Sequence, residues 1–335
     1  MKRVIVTGGA GFIGAHLCEA ILKNTDWDIV VIDRLTYASS GFDRLRDIQV
    51  FDDKRVQIFT HDFTRPIEEG LAKEVGQVNY IFHLGAESHV DLSIQNPEPF
   101  VLTNVLGTMQ LLEFAKKQEN LELFNYFSTD EVHGPAPEGV FYKEEDAYNC
   151  TNPYSATKAG AEQLALAYAN CYKIPVLITR TMNNFGERQH PEKFIPMVIR
   201  KVLAGESVTI HSDPTQTIPG SRHYIHARNA SAALLFLVNY YKGKDKIREI
   251  VNIVGEKEMN NLELANFIAD VVGKPLRYEL VNFHQSRPGH DLRYALDGSK
   301  LKGLGFVYPK TFEESLTKTI KWSLDNPRWL ELQGR

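Results

Sequence analysis

Cysteine is scarce in this 335-residue sequence: Cys18, Cys150 and Cys171 are the only three, and no two stand in a CxxC spacing. An odd, scattered set argues against a disulfide framework or a thiolate metal site and fits a reducing compartment. Long apolar runs are missing too, since none approaches the roughly 18 residues of a membrane-spanning helix. Met1-Lys2-Arg3 runs through Val4-Ile5-Val6-Thr7 straight into glycines, not into an apolar leader. Nor does one sign of charge prevail. Lys+Arg 38 against Asp+Glu 42 gives a net charge of −4 without a basic block, so nucleic acid finds no electrostatic footprint. No internal repeat or low-complexity tract is visible. A chain that is 43% hydrophobic and 24% charged buries a core. The expectation is a soluble, cytoplasmic protein with no metal, no nucleic-acid partner and no membrane span.

Short β-branched runs alternate with helical patterns through the first three-quarters of the chain. Candidate strands lie at 3–7, 29–33, 56–60, 80–84, 123–128, 176–180 and 250–254, and candidate helices at 11–24, 67–75, 99–118, 155–172 and 227–239. Several strands are continuously apolar, as parallel strands covered on both faces are. The rhythm predicts an α/β, doubly wound parallel sheet of about seven strands. It breaks between 183 and 222, where Pro191, Pro196, Pro214 and Pro219 cluster, and again after 255. Residues 1–182 and 224–256 are therefore expected to form a Rossmann dinucleotide-binding domain, and 183–223 with 257–335 a smaller, discontinuous substrate-binding lobe.

The first strand leads into Thr7-Gly8-Gly9-Ala10-Gly11-Phe12-Ile13-Gly14 and then an amphipathic helix. Gly8 and Gly11 allow a tight turn and a close approach to a pyrophosphate, and Gly14 allows the helix to pack near the sheet. A diphosphate would rest on the free N–H groups of the helix start. Asp33 ends the second candidate strand, 22 residues after Gly11, where a carboxylate accepts ribose hydroxyls and repels a 2′-phosphate. NAD is favoured, with Arg34 leaving NADP open. A purely structural turn is the competing reading. Asp62-Phe63 after the third strand can cover an adenine or simply form a turn.

Tyr154 and Lys158 are four residues apart and share one face of a predicted helix after Asn152-Pro153. An ammonium near a phenol favours the phenolate, so this spacing predicts a tyrosine with a lowered pKa that can take a proton from an alcohol. The fifth strand ends in Ser128-Thr129-Asp130-Glu131-Val132. Two adjacent carboxyls there disfavour double ionisation and can divide acid and base roles. In the alternative, Asp130 caps a turn and Glu131 faces solvent.

These motifs resemble the extended short-chain dehydrogenase/reductase family over nearly the whole chain. Ser128–Val132 is similar to the signature of its nucleotide-sugar 4,6-dehydratases, above all those acting on dTDP-glucose. Asp33–Ala38, Ala86–Asp91, Thr103–Thr108, Asn183–Gly186, Pro191–Pro196 and Arg287–Tyr294 resemble the same enzymes. The resemblance implies an NAD site of Gly8, Gly11, Phe12, Ile13, Gly14, Asp33, Arg34, Thr36, Asp62, Phe63, Leu84, Ala86, Ser88, Thr103, Tyr154 and Lys158. It implies catalysis by Thr129, Asp130, Glu131, Tyr154 and Lys158, with Asp130 as acid and Glu131 as base. Ser88, Thr129, Asn183, Glu192, Lys193, Arg222, Arg287 and His290 would hold a sugar nucleotide, dTDP- or UDP-glucose. A homodimer joined by the helices at 99–118 and 155–172 is implied as well. Three departures bear on specificity: His133 and Phe185 stand where tyrosines are usual, and the 211–224 stretch is about four residues longer than expected. Other sugar-nucleotide enzymes, such as a 4-epimerase or a 5,6-dehydratase, and a non-catalytic NAD(H) sensor are the rival readings.

Overall fold

The computed structural model describes residues 1–36, 39–244, 246–283 and 292–332. In chain order the strands are β1 (Arg3–Thr7), β2 (Asp28–Asp33), β3 (Val56–Thr60), β4 (Tyr80–His83), β5 (Leu123–Thr129), β6 (Val176–Thr181), β7 (Asn183–Phe185), β8 (Ser207–Ser212), β9 (Ser221–His226), β10 (Arg248–Ile253), β11 (Glu258–Asn260) and β12 (Arg277–Asn282). Seven of them form one sheet in the order β3-β2-β1-β4-β5-β6-β10, every pairing parallel.

Alternation along each strand builds two cores. Val4 and Val6 of β1 meet Ile29 and Val31 of β2 under the helices Phe12–Asn24 and Ala227–Tyr241. Ile5, Val30 and Ile32 point the other way, to Leu111, Leu112, Ala161 and Ala165 on the helices Gly107–Ala115 and Pro153–Tyr172. With both faces covered, every residue of β5 and β6 is buried, including the polar Asn125, Ser128, Thr129, Thr179, Arg180 and Thr181. Chain connections run from β1 one way to β2 and β3, and the other way to β4, β5, β6 and β10. The resulting crevice beyond the carboxyl ends is where open α/β sheets take ligands.

The glycine turn is set by backbone contact. Gly8 has φ +67° and its Cα faces the Gly85 backbone, which a Cβ would approach to 2.8 Å; a Cβ on Gly14 would stand 2.1 Å from the Gly8 carbonyl oxygen. No L side chain fits the second position without displacing the helix from the sheet.

The stretch from 183 to 222, irregular by sequence, contains β7, the helix Phe194–Ala204, β8 and β9. Pro196 falls in the helix's first turn, where no intrahelical N–H is needed, so it does not break the helix. β9 pairs parallel with β7 and antiparallel with β11, and β8 pairs parallel with β12. A third apolar cluster ties these strands to the helices Asn261–Val272 and Phe312–Asp325 through Ile195, Val198, Tyr224, Leu264, Ile268, Leu316 and Ile320. Residues 212–219 form a small hairpin. Asp213 accepts the amides of Thr215 (3.1 Å), Thr217 (2.8 Å) and Ile218 (2.7 Å), and Ser212 bridges Pro219.

The helix expected at 99–118 is not uniform: it widens to π geometry over Val101–Leu106. Asn104 in that turn bonds the Glu87 backbone, accepting from its N at 2.9 Å and donating to its O at 3.0 Å. Such local widening costs regular helix bonding and clusters at functional sites. Among the described residues no helix is long and apolar enough to cross a membrane.

Gly14→Ala is expected to lower stability by about 3 kcal/mol or more, because the added methyl meets backbone and not a movable side chain. Chemical denaturation followed by circular dichroism checks this, and a parent-like midpoint would contradict the close packing.

Candidate active site

A cavity of about 380 Å3 opens in the crevice. It gathers Gly8, Gly11, Phe12, Ile13 and Gly14 from the turn, Asp33, Arg34 and Thr36 after β2, then Phe63, Leu84, Ala86, Ser88 and Thr103. Thr129, Asp130, Glu131, Tyr154 and Lys158 line it together, with Asn183 and Lys193 from the second lobe. Three expected residues stand outside this wall. Asp62 accepts the Thr64 amide and lies 3.7 Å from the Arg34 guanidinium. Glu192 lies 3.7 Å from the His190 ring. Arg222 donates to the carbonyls of Ser221 (2.7 Å) and Leu292 (2.6 Å) and stacks on Tyr294. Arg287 and His290 lie outside the described residues.

The turn suits a dinucleotide. The helix Phe12–Asn24 starts at Gly11 with no side-chain cap, so its first amides are left for an anion. Asp33 accepts the amides of Ala10 (3.0 Å) and Leu35 (2.8 Å), one at each oxygen, which leaves further lone pairs for ribose hydroxyls. Arg34 donates to Glu87 and faces Asp62. With its guanidinium committed to carboxylates, this corner is a poor setting for a 2′-phosphate.

Asp130 and Glu131 open a single 3-10 turn after β5. Thr129 Oγ1 donates to Asp130 Oδ1 at 3.0 Å and accepts the Glu131 amide at 3.3 Å. The second Asp130 oxygen is buried and has no hydrogen-bond partner among the described residues. Desolvation pushes the Asp130 carboxyl up to about 6; desolvation and the neighbouring Asp130 charge push Glu131 up to about 7. Arg222, though outside the wall, is close enough to oppose both shifts. The two acids thus titrate as a pair near neutrality, the range in which proton exchange in both directions is efficient.

The lysine does not lower the tyrosine's pKa here. Lys158 Nζ donates to the Phe127 carbonyl at 2.7 Å and sits 4.3 Å above the Tyr126 ring, and burial depresses its own pKa to about 7. Tyr154 is pushed well above its ordinary value by desolvation, with Glu131 and Asp130 adding to it, while the neighbouring Thr129 hydroxyl opposes the rise. Spacing placed the two residues on one helix face, but burial dominates the proton affinities of both.

Asn152 escaped the sequence reading. It caps the helix Pro153–Tyr172 through a reciprocal box with Ser155, and its amide donates to Glu131 Oε2 at 3.0 Å. The Asn-Pro pair before the helix marks the cap; only the fold shows that the same side chain reaches the acid. His133 is fully buried outside the cavity, Nδ1 against Ala147 O (3.0 Å) and Nε2 against Arg180 (2.8 Å). Phe185 is buried in the wall between His226 and Phe312. Of the 211–224 stretch, only Tyr224 lines the cavity.

Because the folded state holds the Asp130 proton more tightly than the unfolded chain, its ionisation opposes folding above about pH 6, and this vanishes below the ordinary value of 3.8. Asp130→Asn should therefore unfold at higher denaturant than the parent at pH 8. At about 1.4 kcal/mol per tenfold in proton affinity the gain is at most about 3 kcal/mol, and it should disappear near pH 4. A gain independent of pH would contradict the buried-carboxyl account.

Residues 4–253 match the family described as NAD dependent epimerase/dehydratase. The chain is 39% identical to the low-salt glycan biosynthesis protein Agl12 of Haloferax volcanii, covering 96% of this chain and 98% of that one. It is 36% identical to a dTDP-glucose 4,6-dehydratase of Salmonella typhimurium, covering 98% and 94%. Among solved structures, DesIV, a dTDP-glucose 4,6-dehydratase from Streptomyces venezuelae with NAD bound, superimposes with a TM-score of 0.85 at 34% identity, covering 98% and 99%. A UDP-glucuronic acid 4-epimerase from Bacillus cereus in complex with UDP-glucuronic acid and NAD also gives 0.85, at 26% identity over 97% and 99%. With a glycine turn shaped for a dinucleotide and matches across nearly its full length, the chain belongs to the NAD-dependent epimerase/dehydratase family of nucleotide-sugar enzymes.

Proposed function

We propose that this protein is a nucleotide-diphosphate-glucose 4,6-dehydratase, a hydro-lyase whose first substrate candidate is dTDP-glucose. The observation that carries the reading is the pair Asp130–Glu131, desolvated and lining the same cavity as Thr129 and Tyr154. Epimerisation at C4 requires proton transfer at one hydroxyl; loss of water across C5–C6 requires a base and an acid besides, and this site holds both.

NAD held against the glycine turn and Asp33 would supply the chemistry that the side chains lack, reversible hydride transfer between C4 and C6. Tyr154 takes the proton of the 4-hydroxyl. The C4 ketone acidifies the C5 hydrogen, which Glu131 removes. Asp130 gives its proton to the departing C6 hydroxyl, which leaves as water. Glu131 returns its proton to C5 once C6 has its hydride. At that point Tyr154 holds one proton too many and Asp130 one too few. The Thr129 hydroxyl, bonded to Asp130 and within reach of Tyr154, gives the proton a path between them. Lys158, held by the Phe127 carbonyl at 2.7 Å, would hydrogen-bond the nicotinamide ribose.

The remaining site residues belong to the same reading. Gly8, Gly11, Phe12, Ile13, Gly14, Asp33, Arg34, Thr36, Asp62, Phe63, Leu84, Ala86, Ser88 and Thr103 hold the cofactor. Ser88, Asn183, Glu192, Lys193 and Arg222, with Arg287 and His290 from outside the described residues, hold the sugar nucleotide. The division into 1–182 with 224–256 and 183–223 with 257–335 follows the same line, the cavity lying between. Similarity to both a dTDP-sugar enzyme and a UDP-sugar enzyme supports dTDP- or UDP-glucose as substrate. Val101 and Leu102 are 48% and 42% exposed on the helical stretch beside Pro153–Tyr172, which supports a homodimer joined there.

The test is mass spectrometry on dTDP-, UDP-, CDP- and GDP-glucose incubated with the protein. A product lighter by one water is expected from at least one. An isomer of unchanged mass would replace this reading by a 4-epimerase, a C5–C6 alkene by a 5,6-dehydratase, and retention of NAD with no turnover by a sensor. Tyr154→Phe should abolish hydride removal. Glu131→Gln should leave absorbance of reduced cofactor on substrate addition while water loss falls at least about 100-fold. In light scattering the parent should have twice the chain mass, and Leu102→Glu the single mass.

A further inference from the structure

Arg44 is an arginine only 1% exposed, and it forms part of the cavity wall. It lies on the short helix Asp43–Asp47 that follows β2. Its Nη1 donates to the Ser39 carbonyl at 2.6 Å, and its Nε to the Arg188 carbonyl at 2.9 Å. Ser39 lies in the loop after β2; Arg188 follows β7. One guanidinium therefore bridges two walls of the cavity that are 144 positions apart in the chain. Asp47, at the far end of the same helix, repeats the connection. One of its oxygens accepts the Arg188 guanidinium and the other that of Arg328. Arg188 also lies 4.5 Å over the Trp322 ring, and Arg44 5.6 Å over Trp329.

The backbone of Arg188 supplies an independent sign. Its φ is +67°, the left-handed region that a residue with a Cβ avoids. Such a conformation persists only where its surroundings over-determine it, and it concentrates at ligand clamps. Asp47, Trp322 and Arg44 are those surroundings. The next two residues, Gln189 and His190, line the cavity opposite Ser39, and Gln189 is fixed by a 2.8 Å bond to the Asn184 carbonyl. Desolvation lowers the Arg44 pKa only to about 10, so its bonds stay charge-assisted at neutral pH.

We infer that Arg44, Asp47 and Arg188 form a clasp across the β2 side of the cofactor cleft, and that this clasp sets how slowly NAD leaves the protein. The two walls it joins, 39–44 and 186–190, cannot separate while its bonds hold. Opening that side of the cleft requires Asp47 to release Arg188 and Arg44 to release a carbonyl. These are positioning residues: they act on the dinucleotide through the loops that they fix. The inference rests on NAD as cofactor, which the family establishes, and not on which sugar nucleotide is used or whether water is lost.

The test uses the full chain as purified, in the parent and in Asp47→Asn and Arg188→Gly. Asp47→Asn keeps the shape and removes the charge, while Arg188→Gly removes the cation and relieves the left-handed strain, which guards against misfolding. The readouts are the NAD released on heat denaturation and the rate of NAD loss into a trap that destroys free NAD. Far-UV circular dichroism and the melting temperature in saturating NAD are recorded alongside. Loss of one charge-assisted hydrogen bond is worth roughly a factor of ten. Both variants should thus keep the parent's circular dichroism, lose NAD at least about tenfold faster, and carry less of it through purification. Parent-like release rates in both variants would overturn the inference. So would a lowered melting temperature with an unchanged release rate, since that is the signature of a purely structural contact.

Discussion

A buried carboxyl group beside a half-buried one, at the end of one strand, is the constraint around which this site is arranged. A buried carboxylate is costly, and two in succession are more so. Asp130 and Glu131 tolerate this because their proton affinities rise toward neutrality and because neighbours hold them. Thr129 bonds Asp130, Asn152 bonds Glu131, and the charge of Arg222 reaches both. The proton affinities that make the pair useful in acid–base chemistry are the direct result of that burial.

Such a pair needs a rigid frame, and the frame is built behind it. Arg180 of β6 is fully buried and donates to Glu162 at 2.8 Å, to Tyr148 at 3.0 Å and to the Glu144 carbonyl at 3.1 Å, with His133 at 2.8 Å. Glu162 belongs to the helix that carries Tyr154 and Lys158, and His133 to the turn that carries the acids. A single satisfied guanidinium thus ties the base of the turn to the helix opposite it. Neutral His133 can accept at Nε2 where a protonated ring could not, which agrees with the lowering of its pKa by burial and by Arg180. The residue that departs from the usual tyrosine is therefore a member of this support, not of the cavity wall.

Asn183, Phe185, Lys193, Ile195 and Tyr224, near the third apolar cluster, also line the cavity. That cluster is separate from the two that flank the large sheet, so its position relative to the acids depends on the polar and aromatic contacts that cross between them. Arg44, Asp47 and Arg188 are one such set; Glu187 with His226 and Arg228 is another, at the foot of β9. None of the residues of the hairpin at 213–218 lines the cavity.

Much of the first lobe was legible in the sequence, because its signals are local. Continuous apolar strands, a glycine turn opening a helix and an acid at the end of the second strand follow from pleat, helix period and steric space. The seven-stranded parallel sheet agrees with them. The second lobe was not legible: β7, β8, β9 and β11 are short or paired at long range, and prolines hid a helix whose first turn accommodates one. Proton affinities were out of reach as well. An i, i+4 spacing says that Tyr154 and Lys158 face the same way, but a pKa depends on how much water remains and which charges lie across the cavity. Asn152 reaching Glu131, Arg34 locked by Glu87 and Arg188 forced left-handed beneath Asp47 are likewise meetings of residues distant in the chain. Local sequence sets backbone geometry and periodicity; only the folded whole brings remote side chains together and excludes the water between them.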